Sequence, residues 1–285
     1  MTTAERLPVS LPVPLPLPLT PALPVAEDGD AAGRPVLVLH GGGGPATVAP
    51  LAAHLARTAH VLTPVHPGWD GTGRPAGLDR IADLAGVYLD LLERRGLRDV
   101  LLVGSSLGGW IGAEMAVRDA LRPAGAPALV GGLVLIDAVG IDVPGEPLVD
   151  VLGLDARGLA ELSWHDPARF LVDPVTLPAE ELARRRGNFA TMRALAGDPY
   201  MHDPGLRARL REVQVPVLAV WGESDRIATP AYGAAYARAF ADGRFTPVPG
   251  AGHLPHLERP AEVFALLDAE LARHSRESGT GANRA

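Results

Sequence analysis

The sequence predicts an α/β fold, with a doubly wound, mostly parallel sheet and a helical cap inserted into it. From Pro35 onward, short apolar runs alternate with stretches of helical periodicity, a pattern typical of parallel strands connected by helices. The alternation stops between Ile141 and about Pro204, where helix-favouring stretches such as 179–195 follow one another. A chain of 285 residues is long enough to form one large core.

Strands are predicted where a short apolar run stands between polar or glycine-rich loops. In chain order these runs are 35–39, 60–63, 100–103, 133–136 and 217–221, and another short strand precedes Gly250. Two helices are predicted from apolar residues that fall on one face. These residues are Ile81, Leu84, Ala85, Tyr88 and Leu92 in the first, before a stop at Gly96, and Val263, Leu266, Leu267 and Leu271 in the second.

The interval 142–204 is predicted to be the helical cap, so that residues 34–141 and 205–274 form the core. Its large side chains are Trp164, Phe170, Phe189, Met192, Tyr200 and Met201. We expect most of them to pack the cap onto the core and only a few to contact a ligand, because few aromatic groups line a typical pocket.

The first 33 residues are predicted to be irregular. Leucine or valine alternates with proline between Leu7 and Val25, and proline both restricts φ and removes a ladder donor. The pattern matches a signal peptide poorly. We expect a tail that lies on the body of the protein in preference to a ligand for a proline-recognition domain. Residues 275–285 are small and polar, so we expect them to fray.

Composition excludes several classes of protein. The net charge of −7 leaves no basic footprint for nucleic acid. The absence of cysteine removes disulfides, thiolate metal sites and a cysteine nucleophile. No apolar run reaches the ~20 residues needed to span a bilayer, and the cap histidines His165 and His202 lack metal-ligand partners at a suitable spacing. We expect a cytoplasmic protein without a metal, a nucleic-acid partner or a membrane partner.

The most informative motif is Gly104-Ser105-Ser106-Leu107-Gly108, which follows the strand 100–103 and precedes a helical pattern. A strand, a sharp turn and a helix place Ser106 at the tip of the turn. The flanking glycines let the backbone pass close beside a strained serine, whose hydroxyl then stands above the sheet. This is the geometry of an activated nucleophile.

Candidates for an acid and a base follow two later strands. Asp225 comes after 217–221 and His253 after the glycine turn at Gly250, so the order is nucleophile, acid and base. Asp225 could instead cap a helix at 226–236. The rival acids are Asp137 and Asp142, and the rival base is His256.

The segments HGGGGP, GSSLGG, WGESD and GHLPHLERP resemble the α/β-hydrolase family, from about Pro35 to Arg273. The resemblance implies Ser106 as nucleophile, Asp225 as acid, His253 as base, and an oxyanion hole formed by the amides of Gly42 and Leu107. It also implies that the cap shapes an acyl pocket. Candidate pocket residues are His40, Gly41, His66, Trp110, Trp164 and Leu254. The antiparallel hairpin with which many relatives open is not recognisable here.

These residues predict a cofactor-free serine hydrolase acting on a small or medium ester, thioester or lactone with an apolar acyl portion. A serine at the tip of the turn 104–108, the nucleophile elbow, argues against family branches that need a carboxylate nucleophile at this position. One alternative is hydrolysis of a carbon–carbon bond beside a ketone, although Ser105 and Leu254 stand where that branch often has Asn and Trp. The others are a non-hydrolytic cyclase or isomerase and a ligand-binding protein. The oligomeric state cannot be read from the sequence.

Overall fold

The computed structural model describes the backbone of residues 23–281 and the side chains through residue 273. Within this part, seven strands form one sheet in the order β1-β3-β2-β4-β5-β6-β7. Only β1 runs antiparallel to its neighbour, while the other adjacent pairs are parallel. The strands are β1 Val25–Gly29, β2 Pro35–Leu39, β3 His60–Pro64, β4 Val100–Ser105, β5 Val130–Ile136, β6 Val217–Gly222 and β7 Gly243–Val248.

Ten α-helices lie in the described part of the chain. They are α1 Ala49–Leu55, α2 Ile81–Arg94, α3 Leu107–Ala120, α4 Ala156–Ser163, α5 Pro167–Phe170, α6 Ala179–Ala196, α7 Leu206–Arg209, α8 Pro230–Ala239, α9 Pro255–Glu258 and α10 Pro260–Gly281. The five residues predicted to share a face of α2 are all buried. None of these helices combines the length and the apolar character needed to cross a membrane.

The sheet is covered on both faces, as the sequence predicted. Alternate residues of a strand point to opposite sides, so β2 contributes to two separate apolar clusters. Val36 and Val38 pack in a cluster with residues of α1 and α10. Leu37 and Leu39 pack in a second cluster with residues of α2 and α3. The fold class is therefore confirmed: a doubly wound, mostly parallel sheet.

The expectation of an irregular segment over residues 1–33 is wrong at its end. Residues 25–29 form the edge strand β1, which pairs with β3 from Val25 opposite Pro64 to Gly29 opposite His60. Four of the five residues of β1 are exposed, so the segment lacks the apolar alternation that identifies a strand in sequence. Residues 1–22 lie outside the described residues, as do residues 282–285 of the predicted C-terminal tail. The expectation that the tail frays is wrong over residues 275–281, whose backbone continues α10.

The stretch of residues 142–204, here termed the insertion, carries α4, α5 and α6 between β5 and β6. Its longest helix, α6, is bound to the loop that follows β3. The Asn188 side chain accepts from the Asp70 amide at 2.8 Å and donates to the Asp70 carboxylate at 2.9 Å. Thr191 donates to the Gly68 carbonyl at 2.8 Å. Hydrogen bonds from α6 thus attach the insertion to a core loop.

Candidate active site

Ser106 occupies a strained turn between β4 and α3. Its φ of 52° and ψ of −115° lie in a region that non-glycine residues rarely adopt. The turn needs both flanking glycines, because a Cβ on Gly104 would lie 2.3 Å from the Gly108 carbonyl oxygen. A Cβ on Gly108 would lie 2.1 Å from the Leu39 carbonyl oxygen. Ser105, by contrast, is only 1% exposed. The structure therefore has the elbow geometry that the motif predicts.

The structure brings Ser106, His253 and Asp225 into one hydrogen-bonded chain. The Ser106 Oγ lies 2.9 Å from His253 Nε2, and His253 Nδ1 lies 2.8 Å from Asp225 Oδ2. The Asp225 side chain has no exposed surface, and the His253 side chain is 9% exposed. A carboxylate can only accept, so Nδ1 carries the proton and Nε2 faces the serine as the acceptor.

Asp225 is held in place by backbone amides. Its Oδ1 accepts from the amides of Ile227 and Ala228 at 2.8 and 3.1 Å, while Oδ2 contacts the imidazole. The alternative role, a cap for a helix at 226–236, does not hold, because α8 begins at Pro230 and Thr229 caps it. Asp225 instead caps the short turn before that helix and orients His253 at the same time.

Neither the rival acids nor the rival base takes part in the hydrogen-bonded chain of Ser106, His253 and Asp225. Asp142 is exposed. Asp137 is fully buried beside Asp225, but the imidazole hydrogen bond goes to Asp225. His256 is 1% exposed and donates from Nε2 to the Thr47 carbonyl at 3.0 Å. Its N–H group therefore binds the loop after β2 and not the serine.

The two backbone amides that the family resemblance implies for an oxyanion hole belong to Leu107, which directly follows Ser106, and to Gly42, which follows Gly41. Leu107 is the first residue of α3, so its amide has no partner within the helix. In the described residues, neither the Gly42 amide nor the Leu107 amide donates to a protein acceptor. Gly41 lies against the serine, since a Cβ there would be 3.1 Å from the Ser106 Cβ. Both amides are thus available for a ligand oxygen.

The insertion reaches this loop directly. A Cβ on Gly42 would lie 2.3 Å from the Met192 Sδ, so Met192 of α6 lies against Gly42. The insertion makes a second contact through Ser163, whose carbonyl accepts from the His253 amide at 2.6 Å. The insertion therefore contacts both the Gly42 loop and the His253 loop.

His40 and His66 do not face a ligand, and the expectation that they line the pocket is wrong. Neither has exposed surface. His40 donates from Nδ1 to the Gly41 carbonyl and accepts at Nε2 from the His66 amide. His66 donates from Nε2 to the His40 carbonyl, and its Nδ1 accepts from the Tyr88 hydroxyl. Each of the four ring nitrogens makes a hydrogen bond, and one nitrogen of each ring accepts, so both rings are neutral. The two rings hold the loop at Gly41 in place.

The remaining candidate pocket residues are placed differently from one another. Trp110 is 5% exposed, its ring packs against Gly140, and its indole nitrogen has no hydrogen-bond partner among the described residues. Trp164 lies in the insertion and stacks on Phe170 with ring centroids 4.5 Å apart. Leu254 follows His253 and is half-buried. A role for these three residues in binding stays a prediction.

Burial lowers the pKa of three histidines in this region. The pKa values of His40 and His256 fall to about 4, and that of His66 falls well below 6.5. Unfolding exposes them, so the unfolded chain binds more protons below about pH 6.5 and stability falls as the pH drops from there towards 4. At pH 5, a histidine with a pKa of about 4 in the folded protein costs about 2 kcal/mol.

We expect urea unfolding to show a marked loss of stability between about pH 7 and about pH 5. The variant His256→Gln should lose less over the same interval, because one of the three protonation sites is gone. The exposed His165→Gln is the matched control and should behave as the wild type. An equal pH dependence in His256→Gln and in the wild type would show that His256 does not contribute to the loss of stability at low pH.

One cluster in the described residues has the composition of a metal site. Single ligand atoms of Asp137, Asp225 and His253 lie within 4.8 Å of one another. However, His253 Nδ1 and Asp225 Oδ2 are already joined by a hydrogen bond. The geometry therefore suits a proton-transfer site, in which a histidine is oriented by a carboxylate and can take a proton from a serine.

The chain belongs to the alpha/beta hydrolase family, whose model matches residues 36–266. A protein of Azorhizobium caulinodans named as a carbamate hydrolase is 25% identical over 81% of this chain and 91% of its own length. Lipase 1 of Psychrobacter immobilis is 24% identical over 82% of this chain and 75% of its own. A meta-cleavage product hydrolase from Pseudomonas fluorescens superposes with a TM-score of 0.72 at 16% identity, covering 89% and 94% of the two chains. These two relatives in sequence are thus named as a hydrolase and a lipase.

Several hydrogen bonds that hold the loops of the site in place are not predicted by the sequence. The Glu258 carboxylate accepts from the Gly252 amide at 2.6 Å and from the His165 amide at 2.9 Å. It therefore links the loop before His253 to the insertion. His165 and Glu258 are 93 positions apart in the sequence, so no local sequence pattern predicts their contact. The pairing of Asn188 with Asp70 is missed for the same reason.

Proposed function

We propose that this protein is a serine hydrolase that cleaves a small or medium ester, thioester or lactone through an acyl-enzyme on Ser106. The observation that carries the proposal is the hydrogen-bonded chain from Ser106 through His253 to the buried Asp225. The tautomer that Asp225 selects leaves the Nε2 lone pair directed at the hydroxyl, which is what a general base needs.

The reaction follows from these positions. His253 removes the proton of Ser106 as its oxygen attacks the acyl carbon, and the imidazolium formed is stabilised by Asp225. The Gly42 and Leu107 amides then donate to the oxyanion, and removing one such donor costs about 2.7–4 kcal/mol in a well-studied protease. His253 gives the proton to the leaving group as its bond to the acyl carbon breaks. His253 then takes a proton from water as the water oxygen attacks the acyl carbon, and returns it to the Ser106 oxygen as the carboxylic acid is released.

The names of the relatives support attack on a carbonyl carbon. A lipase cleaves an ester and a carbamate hydrolase cleaves a carbamate, and a serine nucleophile with an oxyanion hole serves both. The cytoplasmic location, the absence of nucleic-acid and membrane partners and the absence of a cofactor stay predictions.

A second candidate is cleavage of a carbon–carbon bond beside a ketone. The similarity of the fold to a meta-cleavage product hydrolase, at a TM-score of 0.72, favours it. Ser105 and Leu254 weigh against it, because the sequence differs there from what that branch often carries.

A substrate panel separates the two candidates. The purified protein is given nitrophenyl esters of increasing acyl length, a lactone and a ring-fission diketone, with Ser106→Ala as the blank. We expect turnover of esters or lactones that is lost in Ser106→Ala. Turnover of the diketone alone would replace the ester proposal with the second candidate.

We further propose that the insertion acts as a cap that limits the acyl pocket, with Met192 as the side chain that lies against Gly42. Shortening Met192 opens space beside Gly42, so Met192→Ala should raise the ratio of kcat/KM on long esters to that on short esters by about tenfold, the scale of one or two methylenes in a pocket. Leu195→Ala is the matched control, because Leu195 is buried on the same helix. Equal ratios in both variants would assign Met192 to packing alone.

A further inference from the structure

A second buried carboxyl lies beside the acid of the proposed triad. Asp137 directly follows β5, has no exposed surface and has a φ of 45°. Its Oδ1 accepts from the Gly222 amide at 2.9 Å. Its Oδ2 is buried and has no hydrogen-bond partner among the described residues. An oxygen of Asp137 lies within 4.8 Å of an oxygen of Asp225 and a ring nitrogen of His253.

Two carboxyl groups at this distance in a buried site cannot both be ionised, because like charges repel and burial disfavours each charge. The hydrogen bonds decide which one keeps the charge. Asp225 receives two backbone amides and the imidazole N–H, whereas Asp137 receives one backbone amide. The proton therefore belongs on Asp137, and its unpartnered Oδ2 is the atom able to carry it.

The charged groups around Asp137 agree with this assignment. Burial, the Asp225 carboxylate and the Glu258 carboxylate raise the pKa of Asp137 well above its usual range, while the hydrogen bond from the Gly222 amide lowers it. His253 is the third group that faces the pair. Were Asp137 ionised as well, a second negative charge would stabilise the imidazolium relative to the neutral imidazole that a general base requires.

We propose that Asp137 is a positioning residue for the reaction at Ser106: a neutral carboxylic acid whose Oδ2–H donates to Asp225 and holds that carboxylate against His253. The inference rests on the proposed function, since it assigns a role in the same site. With this hydrogen bond, Asp225 accepts from four donors: two backbone amides, the imidazole N–H and the Asp137 O–H. The acid of the site is then a pair of carboxyl groups that share one proton and one negative charge.

Two substitutions test the donor: one keeps a donor at position 137, and the other removes the side chain together with the acceptor of the Gly222 amide. Position 137 has a positive φ, which asparagine and glycine both tolerate. In Asp137→Asn the side-chain oxygen can still accept from Gly222 and the amide nitrogen can donate to Asp225, so kcat should stay within about threefold of the wild type. In Asp137→Gly that donor is gone, and kcat should fall about tenfold with KM unchanged, the size of one hydrogen bond to a charged group.

The acid limb of the pH–rate profile gives a further readout. It should coincide in the wild type and Asp137→Asn, because neither carries a charge at position 137. In Asp137→Gly it should shift to higher pH, because an Asp225 without its donor stabilises the imidazolium more strongly. A displaced acid limb in Asp137→Asn, or a loss of kcat as large as in Asp225→Asn, would show that Asp137 is ionised and would overturn the proposal.

Infrared spectroscopy tests the proton without using activity. At neutral pH the wild type and Ser106→Ala should both show the C=O stretch of a protonated carboxylic acid, and the band should be absent from Asp137→Asn. A band that persists in Asp137→Asn, or that is absent from the wild type, contradicts the assignment. If the band behaves as expected but no ester is hydrolysed, the proposed function fails while the shared proton stands.

Discussion

Replacing Ser106 or His253 with alanine is expected to lower acylation by a chromogenic ester by about 10⁵–10⁶-fold, equally in the two variants. The two side chains share one hydrogen bond of 2.9 Å, and removal of either abolishes the same step. Asp225→Asn should lower the rate less, by about 10⁴-fold, because it spoils the tautomer and orientation of the imidazole but leaves the nucleophile and the oxyanion amides intact.

The matched control is His256→Ala, which removes a neighbouring histidine from a loop contact and should be mild. Rates are measured by stopped flow, with circular dichroism to confirm that each variant is folded. If His256→Ala were the inactive variant, or if Asp225→Asn stayed near the wild-type rate, the assignment of base or acid would be wrong.

The second large effect is expected at Gly108. A methyl group there would lie 2.1 Å from the Leu39 carbonyl oxygen and 2.7 Å from that of His40. Both contacts are with backbone, so the start of α3 must move away from β2. We expect Gly108→Ala to lose about 3 kcal/mol or more of stability and at least about 10²-fold in acylation rate, because a shift of about 1 Å displaces both Ser106 and the Leu107 amide.

Gly187→Ala in α6 is the control for this substitution, because nothing lies within 4 Å of its added Cβ. Alanine has the higher helix propensity, so this variant should be as stable as the wild type or up to about 1 kcal/mol more stable. Urea denaturation and the acylation rate are measured for both variants. Similar values for the two would show that the elbow tolerates a side chain at Gly108.

The strands and the elbow could be predicted from the sequence because their signals are local. A buried parallel strand is a continuous apolar run, and the serine motif needs glycines whose contacts lie within a few residues or on the adjacent strand. The order of Ser106, Asp225 and His253 was informative for a related reason. Each follows a strand of one parallel sheet, and the carboxyl ends of such strands meet at one edge.

The features that could not be predicted depend on pairing across the sheet or on contacts distant in sequence. Strand β1 has little apolar content and is recognisable only through its pairing with β3. His40 and His66 look like pocket residues in sequence, and only their stacked rings, 3.6 Å apart, and their hydrogen bonds show that they are buried supports. In sequence, Asp137 is a rival to Asp225 for the role of the acid, whereas its position beside Asp225 follows from the adjacency of β5 and β6.

The most direct test of the central claim is to identify the residue that is acylated. The wild type and Ser106→Ala are treated with a fluorophosphonate probe, digested and analysed by peptide mass spectrometry. We expect one adduct, on Ser106 and not on the buried Ser105, and no adduct at the elbow peptide of Ser106→Ala. Labelling of Ser106→Ala at the wild-type rate, or an adduct on another residue of the wild type, would contradict the acyl-enzyme on Ser106.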